Sequence, residues 1–448
     1  MNFISLRQPD QEVARKVRFV NFGAQNENDA RITTPWHPSR ARHQEISKGR
    51  LMSSPQTDTR KLKLGGWIAA LCFFIVVFEG YDIVALGATI PVLTDPGVGG
   101  YSVSEMNWVN TCSLIGVGVG AATMGRLADR FGRRRPLLIA VLVFSVFTLL
   151  FPFLPSALLM GAFRFIAGLG LGGCMPVALA LMQENAPVGR RALANNLPMV
   201  GYHLGAVLAS LAGKAAGVHW SVLYFLGGGL GLALLALLWF KLPESDVVAS
   251  NERTSISDVL KPKYLRTSIG LWIAAFMGLV LVYGLNAWLP KIMGAAGYPV
   301  ADSLTMLFVL NLGAIAGLVI SAYAADSKGI KLVSLIWFAA SSALLLLLAV
   351  PFGSQVLLTA LLFVTGVFVF SAQCLMYAYA GHVYPRNLVA TGIGLASGIG
   401  RFGAIIGPYV TGLMVAAGTA YPGAFFLYGG AALLAVVVIA QIPKPQRG

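Results

Sequence analysis

Four ionisable side chains lie inside stretches that are otherwise apolar. Glu79 and Asp82 fall midway along WIAALCFFIVVFEGYDIVALGATIPVL, Arg164 in RFIAGLGLGGCMP and Arg401 in GIGRFGAIIGP, and their charges sum to zero. An ionised group in hydrocarbon costs roughly 2.5–3.5 kcal/mol on insertion scales, so such residues face a partner or a watery cavity and mark places where ions or protons are handled. Glu79 and Asp82 are three residues apart, which puts them on one face of a helix, where two carboxyls can share a proton. The chemistry expected of these residues is proton exchange at Glu79 and Asp82. Capture of an anion is expected at Arg164, with or without Arg401.

Other polar residues sit in similar surroundings. His203 has two readings: a proton relay, because imidazole titrates near neutral pH, or a buried histidine bonded to a nearby carbonyl. Tyr283, Asn286, Gln373, Tyr377 and Tyr379 place amphipathic side chains where a ligand ring can stack and a carboxylate can accept hydrogen bonds, with plain packing as the alternative for each.

The elements that must carry these residues follow from composition. Of 448 residues, 56% are hydrophobic and 11% charged, with a mean hydropathy of +0.73, a balance that places the chain in a membrane. Runs of about 20 apolar residues suit helices crossing a hydrocarbon core about 30 Å thick. Spans are expected near residues 65–91, 106–125, 136–154, 157–184, 193–214, 220–240, 268–290, 303–324, 331–350, 355–382, 390–416 and 421–441. The expected fold class is therefore an all-α membrane protein of twelve transmembrane helices in two pseudo-symmetric six-helix halves. The divisions are a disordered tail at 1–60, a first half at 61–241, a cytoplasmic linker at 242–267, a second half at 268–441 and a short tail at 442–448. Met52, followed by SSPQTDTRKLK, reads as a natural start, and the segment before it has neither an apolar signal core nor the acid-poor character of a transit peptide.

Basic residues orient the spans. With the N-terminus inside, the inner loops and C-terminal tail hold seventeen Lys and Arg and the outer loops hold two, Lys214 and Lys291, so both termini are expected in the cytoplasm. The net charge of +15 reflects this bias and the basic N-terminal tail, and does not argue for nucleic acid. The four cysteines show no paired spacing, which suggests neither a disulfide framework nor a metal site. No nucleophile with a nearby base and no sizeable soluble domain is legible, so an enzyme or a sensor is a remote alternative.

GRLADRFGRRR, Gly125 to Arg135, follows the second span, and SAYAADSKGIK follows the eighth. Within the first, Gly125 and Gly132 permit a tight turn, and Asp129, flanked by Arg130 and Arg133, is placed to latch onto a helix end or an arginine in one conformation and release it in another. Asp326 is the counterpart of Asp129. The glycines at 168, 170, 172 and 173 lie within an apolar helix with no preceding strand, so they read as a close-packing face and not as a nucleotide fingerprint.

GRLADRFGRRR resembles the loop signature of the major facilitator superfamily. Together with EGYD, RFIAGLGLGGCMP ending at Glu184 and Pro187, YGLNAWLPKIM and GIGRFGA, it makes most of residues 60–441 resemble the aromatic acid:proton symporters within that superfamily. That resemblance implies the major facilitator fold and proton-coupled uptake of a small aromatic carboxylic acid, of benzoate, hydroxybenzoate or gentisate type, by alternating access at the cell membrane. The energy source would be the proton gradient, with no cofactor, no nucleic acid and no obligate protein partner. By the same resemblance, Glu79 and Asp82 take the place of the acidic motif in the first span. Asp129 and Asp326 take those of the two loop aspartates, and Arg164, Glu184 and Arg401 those of functional residues in the fourth and eleventh spans. Two departures stand out: Glu79 where the family usually has Asp, and Val389 where some members carry an arginine, with Arg386 three residues earlier. GYHLGAVLAS and SAQCLMYAYAGHVYP are closer to benzoate-type members. A carrier or exporter of a non-aromatic organic anion is the alternative.

Overall fold

In a bilayer no water is available to the backbone, so a crossing segment must bond to itself, and an apolar run long enough to cross becomes a helix. The structure, a computed structural model, describes residues 59–185, 191–242, 256–385 and 388–443. The expected N-terminal tail up to residue 58, half of the linker, Arg386 and the last five residues lie outside the described set, as do the side chains of Gly125, Asp129 and Glu184.

Twelve long helices, one short α-helix and a 3-10 turn at Phe151–Phe153 make up the described fold. The first six are α1 (Thr59–Leu93), α2 (Val103–Phe131), α3 (Arg134–Leu150), α4 (Ala157–Asn185), α5 (Arg191–Ala216) and α6 (Ser221–Lys241). A single turn, α7 (Ile256–Val259), precedes α8 (Pro262–Ala295), α9 (Val300–Lys328), α10 (Ile330–Leu348), α11 (Gln355–Val383), α12 (Val389–Ala416) and α13 (Ala420–Gln441). Ten of these, over their described residues, are long and apolar enough to cross a membrane.

Helix ends differ from the expected spans in an informative way. GRLADRF is not a loop: α2 continues through it and stops only at Gly132, whose φ of 82° ends the helix. The second copy behaves alike, with α9 running through Ser321–Lys328 and stopping at Gly329, φ 89°. Charge takes these turns out of hydrocarbon but does not break helical hydrogen bonding, whereas a left-handed residue does, and glycine adopts that conformation without strain.

Close helix approach repeats along the chain. Gly116 and Gly120 of α2 press on the carbonyls of Phe165 and Leu169 in α4, and Gly313 and Gly317 of α9 press on those of Phe363 and Val367 in α11. These glycines, the two aspartates 129 and 326, and the stops 132 and 329 all correspond at one constant offset of 197 residues. In each pair a side chain in place of hydrogen would overlap backbone, so small residues set the interhelical distance. The α4 glycines serve two neighbours: Gly168 and Gly172 face α2, while Gly170 faces α3.

Four hydrogen bonds between described residues join α1–α6 to α8–α13. They are Asn107 Nδ2 to the Tyr409 carbonyl (3.1 Å), Lys214 Nζ to Thr305 Oγ1 (2.8 Å), Lys291 Nζ to Thr94 Oγ1 (2.6 Å), and His203 Nδ1 with Asn311 Oδ1 (3.1 Å). Three lie toward the end carrying the α1–α2, α5–α6, α8–α9 and α12–α13 connections, and the fourth at mid-height. These three bonds close the two sets of helices on each other at that end.

Candidate functional site

Helix α1 carries both intramembrane acids, and its neighbours separate them. Asp82 is 2% exposed and forms an ion pair with the fully buried Arg164 of α4, 2.8 Å between Oδ2 and Nη1. Thr148 of α3 donates to its other oxygen at 2.8 Å. Arg164 also reaches the Asp82 carbonyl at 3.4 Å, and its guanidinium lies 5.9 Å from the Phe151 ring centroid. The pair is thus sealed among α1, α3 and α4. The expectation has Arg164 present its charge to a ligand; in this conformation Asp82 meets that charge, and removing either partner would leave the other buried and unpaired.

Glu79, one turn earlier, is fully buried, and neither carboxylate oxygen accepts a hydrogen bond from a described group. Arg401 of α12 is the opposite charge that acts on it, with no ion pair formed between the two. Arg401 is partly exposed and donates from Nη1 to the Tyr283 hydroxyl of α8 at 2.9 Å. Tyr202 of α5 and Tyr377 of α11 lie in the same electrostatic neighbourhood. The Tyr202 hydroxyl is buried beside Tyr283 without a formed hydrogen bond. Five helices, α1, α5, α8, α11 and α12, therefore bring one acid, one arginine and three phenols together at mid-height. An arginine held by a neutral phenol and facing a carboxyl with no hydrogen-bond donor can take an anion in place of its present partner.

A second polar chain lies next to this cluster. Asn311 of α9 donates from Nδ2 to Asn286 Oδ1 of α8 (2.9 Å) and to the Leu307 carbonyl (3.1 Å), while its Oδ1 meets His203 Nδ1. His203 is 5% exposed and packs edge-on against Phe370, 4.8 Å between centroids. Its partner is a side-chain amide and not a backbone carbonyl. Gln373, 4% exposed, has no formed hydrogen bond from either amide atom and lies beside Tyr377 and the open side of Gly278.

The remaining expected residues lie away from this cluster. Arg130 is exposed over the Phe131 ring, 5.3 Å from its centroid, and Gly132 terminates α2. Arg133 precedes α3 and makes an interaction of its own. Asp326 is exposed in the last turn of α9. What Asp129 and Glu184 touch falls outside the described side chains. Tyr202, Thr148 and Asn311 were not singled out from sequence. Asn311 is the one polar residue in LFVLNLGAIAG, a signal of the kind that drew attention to Arg164. Grooves lined by Leu265, Ile269 and Val438, and by Val309, Val356 and Phe363, contain none of these groups.

Comparison with known proteins agrees with this architecture. The gentisate transporter of Corynebacterium glutamicum is 32% identical over 389 residues, covering 84% of this chain and 87% of that protein. The benzoate transport protein of Acinetobacter baylyi is 30% identical over 406 residues, covering 80% and 85%. The crystal structure of a D-xylose-proton symporter superposes with a TM-score of 0.71 at 18% identity, covering 85% of this chain and 98% of that one. The family model of the Major Facilitator Superfamily matches residues 72–401, and a chain of twelve long helices with paired glycine contacts and a mid-height charge cluster belongs to that superfamily of membrane transporters.

Proposed function

We propose that this protein carries a small aromatic carboxylate together with a proton by alternating access, moving it inward across the cell membrane. The observation that carries the proposal is the convergence on Arg401. A guanidinium with a phenol already bonded to it is a receptor for a carboxylate, and the rings of Tyr202, Tyr283 and Tyr377 give an aromatic substrate surfaces to stack on. Glu79 is the proton carrier. When a substrate anion takes Arg401, the Glu79 carboxylate loses its charge partner in a buried site with no donor to replace it, and a proton removes the cost of that charge. Binding of anion and proton are thereby linked. The proton gradient supplies the energy, and no cofactor is involved.

On this reading Asp82 and Arg164 form a fixed internal brace that moves with α1–α6. The basic connections lie in the cytoplasm with both termini, so the closed end is the outer one and the conformation faces inward. Two six-helix halves, 61–241 and 268–441, rock about the site, with GRLADRFGRR and its counterpart at Asp326 as latches at the cytoplasmic end. The relatives named for gentisate and benzoate support the substrate class. The test is uptake of labelled benzoate and 3-hydroxybenzoate by purified protein in liposomes. Accumulation should follow an imposed inward proton gradient and collapse when the gradient is dissipated. Equal uptake with and without the gradient would contradict the coupling, and no uptake of either acid would contradict the substrate class.

A further inference from the structure

The chain Asn286, Asn311, His203 has a defined hydrogen-bond direction, and one end is unfilled. The Leu307 carbonyl can only accept, so the Asn311 atom 3.1 Å from it is the Nδ2 donor. The same NH2 group donates to Asn286 Oδ1 at 2.9 Å. Asn311 Oδ1 therefore faces His203, and the imidazole must carry its proton on Nδ1 to meet it at 3.1 Å. At the other end, Asn286 is fully buried and its Nδ2 has no partner. A buried amide donor left unpaired costs about 1–3 kcal/mol, so an acceptor brought in by a ligand would be favoured there.

Asn286 lies three residues beyond Tyr283 on α8, about one turn, or about 4.5 Å along the axis. Tyr283 holds Arg401. A ligand whose carboxylate sits at Arg401 and whose ring extends toward the closed end thus meets the unfilled donor at the far side of its ring. We infer that Asn286 Nδ2 donates to a phenolic oxygen of the substrate, and that Asn311, anchored across the molecule to His203, is the positioning residue that turns the amide to do so. The inference rests on the aromatic-carboxylate reading above and sharpens it: the preferred substrates are hydroxylated rings, and unsubstituted benzoate is a poor one. A site built to pair with a hydroxyl discriminates against an analogue that lacks it, because the buried donor then stays unpaired.

The experiment compares labelled benzoate with 3- and 4-hydroxybenzoate in liposomes, for the wild type and for Asn286→Leu and Asn311→Leu. Wild type should prefer at least one hydroxylated acid by about tenfold or more in kcat/KM. Both variants should bring that ratio toward unity at normal membrane protein level. Asn286→Ser, which keeps a donor, should retain part of the preference. A wild type that carries all three acids alike overturns the inference while leaving the aromatic-carboxylate reading intact, and so does a ratio unmoved in the variants. A wild type that carries none of them overturns both. The wild-type ratio is informative even if a leucine variant fails to fold.

Discussion

At the residue scale, the two acids of EGYD have different surroundings although the sequence makes them look like a pair. Their spacing places them on one face of α1, and nothing in the spacing says which neighbour each one meets. Packing decides it: α3 and α4 enclose Asp82, while α5 and α12 approach Glu79. The positions of the buried charges were legible because charge in an apolar run is conspicuous. The pairing was not, because it depends on helix contacts far apart in the chain. Asn311 and Tyr202 escaped notice for a related reason, since a single neutral polar residue is common in buried helices. Asp82→Asn should leave Arg164 as an uncompensated buried cation, a loss of about 3–5 kcal/mol. The expected outcome is a marked fall in membrane protein level and in melting temperature in detergent. Normal level and full transport in Asp82→Asn would remove the brace from the account. Arg401→Lys keeps the charge but loses the planar fork, so it should raise KM for the acid by roughly tenfold with less effect on protein level, checked by uptake kinetics beside an immunoblot.

At the element scale, the twelve helices were legible from apolar runs, but their ends were not. Charged turns such as LADRF remain helical and stop only at Gly132, so a reading that breaks spans at charge ends them too early. The glycine faces were legible as a class, and the structure adds which glycine meets which helix. That permits a paired test. A Cβ at Gly172 would overlap the Val117 carbonyl, whereas one at Gly118 would meet only the Ile405 Cδ1 at 3.7 Å. Gly172→Ala should separate α2 from α4 and lower the melting temperature, and Gly118→Ala should leave it within error. Equal effects would show that helix approach is not what these glycines set. The start of α2 gives a pH-dependent counterpart. Ser102 caps it and exchanges hydrogen bonds with Glu105, at 2.8 Å to the Ser102 amide and 3.2 Å from the Glu105 amide. The Ser102 amide and hydroxyl, each donating to Glu105 Oε2 at 2.8 Å, hold that carboxyl below the usual carboxylate range. Because the folded value is the lower one, this contribution is fully present above the unfolded value of about 4.3 and is lost as pH falls through the folded value. Ser102→Ala should cost about 1 kcal/mol at pH 7. The difference from wild type should narrow in melting curves taken below pH 4.

At the scale of the whole molecule, every hydrogen bond between described residues that joins the two sets of helices lies at one end or at mid-height, so transport requires those bonds to break while others form. Asp129 and Asp326 stand at the opposite end, one offset of 197 residues apart. In the latch role proposed above, remote from Arg401, Asp129 should influence the balance of conformations and not the pocket. Asp129→Asn is therefore expected to lower kcat by an order of magnitude or more while the binding constant of the acid changes little, as measured by ligand protection against thermal unfolding. Equal losses in both would place Asp129 in the binding machinery instead. Glu79→Gln tests whether Glu79 carries the coupling proton, because glutamine imitates the protonated form at nearly unchanged shape. The measurement is made on one preparation in liposomes: exchange of labelled 3-hydroxybenzoate at equal internal and external concentration, and its accumulation under an inward proton gradient. Exchange should persist while accumulation above the external concentration is abolished. Accumulation that survives in Glu79→Gln at normal protein level would contradict that role for Glu79.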